Sequence, residues 1–139
     1  MGRSLSLLAA LVLATLAQGQ EQQIVWPKHV KAPIYPAIAQ TAHVAGVVIV
    51  RVTLDSEGRV TKADVVSGSA LLQRAAVDSV RLWTFTKPPY DDFSEQVSCV
   101  FRLLDPDKNE PTGAVEFDFP DRVTVTAPLA HVMTNETAR

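Results

Sequence analysis

The chain has 139 residues, enough for one domain of ordinary size. Its composition, 47% hydrophobic and 20% charged, lies in the globular range and excludes a wholly disordered chain. A formal net charge of −2 offers no basic face to a phosphate backbone, so nucleic acid is not an expected partner.

Residues 1–19 read as a targeting segment rather than as part of a fold. Arg3 is the sole charge before Glu21, an apolar run extends from Leu5 to Ala17, and Ala17 and Gly19 offer small residues for cleavage. A charged start, a short apolar stretch and a small-residue end make a secretory signal. The alternative is an uncleaved inner-membrane anchor. A bilayer span takes roughly 20 apolar residues, and this run is shorter and ends in Gln18-Gly19-Gln20-Glu21. No cysteine follows it that could carry a lipid.

Residues 20–32 are expected to be an extended lead-in, because Trp26-Pro27 and Ala32-Pro33 disfavour helix at the residue before each proline. A short helix is predicted next. Pro36 suits its first position, where no N–H is wasted, and Ile38, Ala42 and Ala45 share one face. Val48, Val50, Val52 and Leu54 then recur with period two, which places them on one side of a strand. Ser56-Glu57-Gly58 breaks the run with turn chemistry, and a second strand follows from Val60 to about Val66.

After Ser67-Gly68 the period changes. Leu72, Ala75, Ala76, Val80 and Trp83 recur at steps of three and four, the stripe of an amphipathic helix, with Ser67 or Ser69 available as its cap. Lys87-Pro88-Pro89-Tyr90-Asp91-Asp92 reads as a loop. From about Glu95 to Leu104, alternation puts Val97, Cys99, Phe101 and Leu103 on one face of a third strand. The 105–113 stretch is a second loop. Val115, Phe117 and Phe119, then Val123 and Val125 after Pro120-Asp121, predict one or two further strands, and residues 127–139 a frayed tail.

Catalytic chemistry is hard to find in this pattern. His29, His43 and His131 stand in three separate segments, without carboxylate or thiol at the spacing a metal needs. Cys99 alternates with apolar neighbours and reads as a small buried hydrophobe. Asp55-Ser56-Glu57-Gly58 lacks the ligand series of a calcium loop and reads as a polar turn. Ser67-Gly68-Ser69 is not a nucleophile elbow. Trp83 and Phe85 suit a core better than a ligand platform, and Asn135-Glu136-Thr137 is a three-residue glycosylation match of the kind that arises by chance. No catalytic residue, cofactor or metal site is therefore expected, and the chain is read as a non-enzyme.

Several of these residues form an ordered set. Tyr35-Pro36, Ala39, Gly46, Glu57-Gly58-Arg59-Val60, Val66-Ser67-Gly68-Ser69, Leu72, Ala75-Ala76 and Trp83-Thr84-Phe85 together resemble the C-terminal domain of TonB-type energy transducers, from Pro33 to roughly Pro89. The resemblance implies an α+β fold, a small antiparallel sheet of three to five strands with two helices packed on one face, over residues 33–126. It also implies an envelope location and a partner, an outer-membrane TonB-dependent transporter or another envelope protein. Such a partner adds an extended peptide to the edge of the third strand, here Val97, Ser98, Cys99, Val100, Phe101, Arg102, Leu103 and Leu104. The family's long proline-rich spacer has no counterpart between residues 20 and 32, so a soluble accessory domain without energy transduction is carried as a second reading. A dimer stays open. Two expectations concern the ends of the chain. The tail is expected to return antiparallel beside the third strand, since an unpaired apolar edge invites aggregation. N-terminal sequencing of the exported protein is expected to begin at Gln18 or Gln20, whereas recovery of Met1 on a membrane-embedded product would identify an anchor.

Overall fold

Alternation along Gly46–Leu54 sets the plane of the molecule. The computed structural model describes residues 23–105, 107 and 113–129. The proposed signal, His131 and the Asn135-Glu136-Thr137 match lie outside the described residues. Strand β1 (Pro27–His29) precedes helix α1 (Ala37–Thr41), followed by β2 (Gly46–Leu54), β3 (Val60–Ser67) and helix α2 (Ala70–Val80). The chain continues through β4 (Thr84–Phe85), β5 (Phe93–Leu103), β6 (Val115–Asp118) and β7 (Arg122–Ala127). Five strands form one sheet in the order β3-β2-β5-β7-β6, and β1 pairs with β4 in a separate ribbon.

The period-two residues Val48, Val50, Val52 and Leu54 are all buried on one face, with Val97, Cys99 and Phe101 of β5 beside them. Helix α2 lays Leu72, Ala76, Ser79 and Val80 into this core. Trp83, 2% exposed, completes the stripe just beyond the helix end. Ser69 occupies the N-cap position, but its hydroxyl makes no capping bond; the Gln73 amide instead donates to the Gly68 carbonyl at 2.9 Å. In α1 it is Ala39 that is buried, while Ile38 is 64% exposed, so the face shared by Ile38, Ala42 and Ala45 is turned outward. A single turn anchored by Tyr35 and Val44 is responsible: the Tyr35 hydroxyl donates to the Val44 carbonyl at 2.6 Å and the Tyr35 ring packs edge-on against Phe101.

The lead-in is extended, as expected, but it is also stitched down. Val25 is buried, β1 pairs antiparallel with β4, the Trp26 N–H donates to the Thr86 hydroxyl at 2.9 Å, and the Thr86 N–H donates to the Trp26 carbonyl at 2.7 Å. The Lys31 carbonyl accepts both the Trp83 indole N–H, at 2.8 Å, and the Ser79 hydroxyl.

Two expectations about the sheet are corrected. The third strand, β5, is interior rather than an edge, because β2 pairs along one side and β7 along the other. Its neighbour β7 runs parallel to it, not antiparallel, so the sheet is mixed. Side-chain chemistry explains both. Val123, Val125, Thr126 and Ala127 of β7 are buried and suit an interior position. The acidic Glu116 and Asp118 of β6 are exposed and suit the rim. The hairpin is therefore inserted with its second strand inward. Ala127, expected to open the frayed tail, ends β7 and accepts the Leu104 N–H at 2.8 Å.

The β2–β3 turn meets β4 through a glycine. Gly58 has φ +84, and its carbonyl accepts the Phe85 N–H at 2.8 Å. A side chain there would collide with the Phe85 carbonyl oxygen. Gly58→Ala is expected to destabilise the fold by about 3 kcal/mol, combining a strained backbone with a forced separation of turn and strand. Urea unfolding checks this, and an unchanged midpoint would show that turn and strand separate at no cost.

Candidate functional site

Titratable and nucleophilic side chains are spread over the fold, and several are held in local structural bonds. Asp55 uses one carboxylate oxygen to accept the Glu57 and Arg59 N–H groups, each at 2.9 Å, and the other to accept the Arg59 guanidinium at 2.9 Å. The Arg59 backbone N–H is the foremost cause of its lowered pKa. This carboxylate serves its own turn. His29 lies in β1 and His43 in the turn after α1, both exposed and in different segments. Among the described residues no group of three or more His, Cys, Asp or Glu is placed to hold a metal ion.

Cys99 sits in the middle of β5 and is fully buried. Desolvation penalises its thiolate and pushes the thiol up to about 12. Trp83 and Phe85 are core residues, with ring centroids 6.1 Å apart.

What the fold leaves open is surface for another chain. The segment expected to receive a peptide is placed as follows. Val97, Cys99 and Phe101 face the core; Ser98 and Val100 are half-buried on the opposite face; Arg102 is exposed; Leu103 and Leu104 are half-buried. From Ser98 to Leu103 every position is in register with β7, and the Ser98 N–H donates to the Asp121 carbonyl at 2.7 Å. From Ser98 to Phe101 the strand is therefore paired along both sides, by β2 and by β7.

The free sides of the sheet belong to β3 and β6. The β3 rim carries the Lys62–Asp64 ion pair, at 3.2 Å, with both side chains exposed. The β6 rim is apolar on its core side. Val115 and Phe119 are exposed, and Phe117 is half-covered by Trp83, with centroids 6.4 Å apart. Phe117 and Phe119 stack at 6.1 Å.

The backbone of β6 is oriented by its pairing with β7. The Thr126 N–H donates to the Ala114 carbonyl at 2.9 Å and the register continues as Val115↔Val125 and Glu116↔Thr124. In an antiparallel ladder bonded and non-bonded pairs alternate, so Glu116 and Asp118 turn their backbone groups to β7, and Val115 and Phe117 turn theirs outward.

A sequence profile describing the Gram-negative bacterial TonB protein C-terminal matches residues 31–103. The chain belongs to the TonB C-terminal family. The match ends with β5, so β6 and β7 stand beyond the TonB C-terminal region. No curated protein matches the chain.

A second open surface lies inside the TonB C-terminal region. A groove of about 440 Å³ runs between residues 31–38 and the outer side of α2. Its rims are Ile34 and Ile38 on one side and Leu71 and Leu82 on the other, all exposed, with Ala75 in its lining and Arg74 and Asp78 along α2. The sequence reading missed this surface: Ile38 was grouped with Ala42 and Ala45 on one face, and Ile34, Leu71 and Leu82 fell on no stripe. Their signal was that apolar residues off the core stripe recur on neighbouring turns.

For Cys99 a structural role predicts slow labelling by a thiol reagent in the native protein and fast labelling after unfolding. Cys99→Ala should cost about 1 kcal/mol through lost packing. Because the folded thiol titrates above the unfolded one, its share of stability is complete below the ordinary value of 9.0 and is lost as pH climbs toward about 12. The alanine variant should accordingly show a shallower alkaline loss. Rapid native labelling would refute burial.

Proposed function

We propose that this TonB C-terminal domain is a binding module of the bacterial envelope, not an enzyme, and that it takes up an extended segment of an outer-membrane TonB-dependent transporter as an added strand. The observation that carries the reading is the state of the sheet edges. The family strand expected to accept the peptide, β5, is sealed by β7, and the sheet on that side now ends at β6. An incoming strand would find two outward-facing backbone residues, Val115 and Phe117, and could cover the apolar row Val115, Phe117 and Phe119. Main-chain bonds supply affinity in such a complex, and alternate side chains supply selectivity. The β3 edge is the poorer acceptor, because paired charges on a rim discourage strand addition.

An envelope location belongs to the same proposal, supported by the family and by the signal-like 1–19 segment. No described helix is long and apolar enough to cross a membrane.

Val115→Pro tests the site with little risk to the fold. It removes an outward N–H, keeps the bonds to β7, and occupies an edge position that proline tolerates. Titration calorimetry with synthetic peptides from the N-terminal segments of such transporters should show binding to the unaltered protein and a loss of roughly tenfold or more in the variant, as one or more main-chain bonds vanish. Val115→Thr should bind nearly as the original. Equal affinity in the proline variant would move the site away from β6.

A further inference from the structure

The groove beside α2 has a symmetry of its own. Leu71, Arg74 and Asp78 on the outer side of α2 and Leu82 in the turn just beyond it succeed one another at steps of three or four. Read in the opposite direction, the row has the same form, apolar, charged, charged, apolar, with the signs exchanged. The charges are well exposed, 93% and 62% for the Arg74 and Asp78 side chains, and their mutual contact within the helix is long, 3.7 Å. An exposed pair of that geometry is weak and readily traded for a better one.

We infer that this face is a self-association surface, on which a second copy of the chain packs its α2 antiparallel about a two-fold axis passing near Ala76-Val77. That operation sets Arg74 of each copy against Asp78 of the other and Leu71 against Leu82. The small Ala75, which lines the groove at this level, allows the helices to approach. The Ile34 and Ile38 ridge, 78% and 64% exposed, then finds apolar surface on the facing copy. Isologous contacts need this kind of self-complementarity, in which a patch fits its own rotated image. Exposed apolar groups gathered around a groove are also what distinguishes an interface from scattered surface hydrophobes. The inference stands apart from strand addition at β6, since no β6 residue lines the groove.

Sedimentation equilibrium of the protein, purified in the form the cell delivers, should show a concentration-dependent dimer. Leu71→Glu should raise the dissociation constant by roughly tenfold or more, because a charge would be buried without a partner. Arg74→Asp alone and Asp78→Arg alone should each do the same by placing like charges face to face, and the double exchange Arg74→Asp with Asp78→Arg should restore dimerisation. Thermal unfolding and peptide titration serve as controls, and neither should change greatly at these exposed positions. A monomer at every concentration up to about 1 mM would overturn the inference. So would a dimer indifferent to all four variants, which would place the contact elsewhere, or a groove whose substitutions abolish binding of a different envelope protein while the chain remains monomeric.

Discussion

The pairing of β7 with β5 along Ser98–Leu103 decides both what the core contains and what the surface can offer. Without β7, the core face of the sheet would lack Val123, Val125 and Ala127, and Val97, Cys99 and Phe101 would line an open margin. Burying three such side chains contributes on the order of 5 kcal/mol, comparable to the whole net stability of a small domain. The hairpin of β6 and β7 is thus part of the fold and not a lid resting on it. A partner that needs the side of β5 would have to extract buried side chains, whereas a partner that accepts the side of β6 needs only to lie down beside it.

The sequence revealed most of what precedes that hairpin. Period-two alternation in Val48–Leu54 and the three-and-four spacing of Leu72, Ala76 and Val80 are strong signals because each is enforced by burial of one face. The turn at Ser56-Glu57-Gly58 was legible from the glycine. Three features were not legible, and each depends on a non-local contact. The β1–β4 ribbon is held by residues some 60 positions apart, through the Trp26 backbone and the backbone and hydroxyl of Thr86. In α1, a helix of 5 residues is too short for periodicity to choose a face, and Tyr35 chose Ala39 over Ile38. The order of β6 and β7 is invisible to alternation, since both strands alternate; the acidic pair Glu116 and Asp118 against Thr124 and Thr126 was the clue to which would be outermost.

The candidate site was harder to read than the fold for a related reason. An edge is a property of the whole sheet, and adding two strands relocates it without altering any residue of the third. The residues Val97–Leu104 are the right kind of strand in the wrong place to receive a peptide, because an acceptor must have unsatisfied backbone groups and Ser98–Phe101 at their centre is paired on both sides. The same logic separates the two remaining edges. Strand addition is favoured where apolar side chains are exposed and backbone groups point out, and discouraged where charges guard the rim. Val115 on β6 and Phe119 just beyond it meet the first description, and Lys62 and Asp64 on β3 meet the second.

Trp83 relates the two open surfaces to each other. Its indole N–H is fixed to the Lys31 carbonyl, at the start of the groove, and its ring meets Phe117 of β6 at 6.4 Å. Both surfaces are therefore built on one buried side chain with a satisfied polar atom and a locked orientation. A common support of this kind sets the relative placement of edge and groove. It does not by itself transmit a signal, since coupling between sites requires an element with two arrangements that each ligand biases differently. The Trp83 indole is 2% exposed and hydrogen-bonded, which favours one arrangement. Strand addition at β6 and self-association through α2 would then be energetically independent, and joining two copies would present two β6 edges in a fixed geometry. Any gain in affinity for a partner with two extended segments would come from effective concentration, not from a change in either edge.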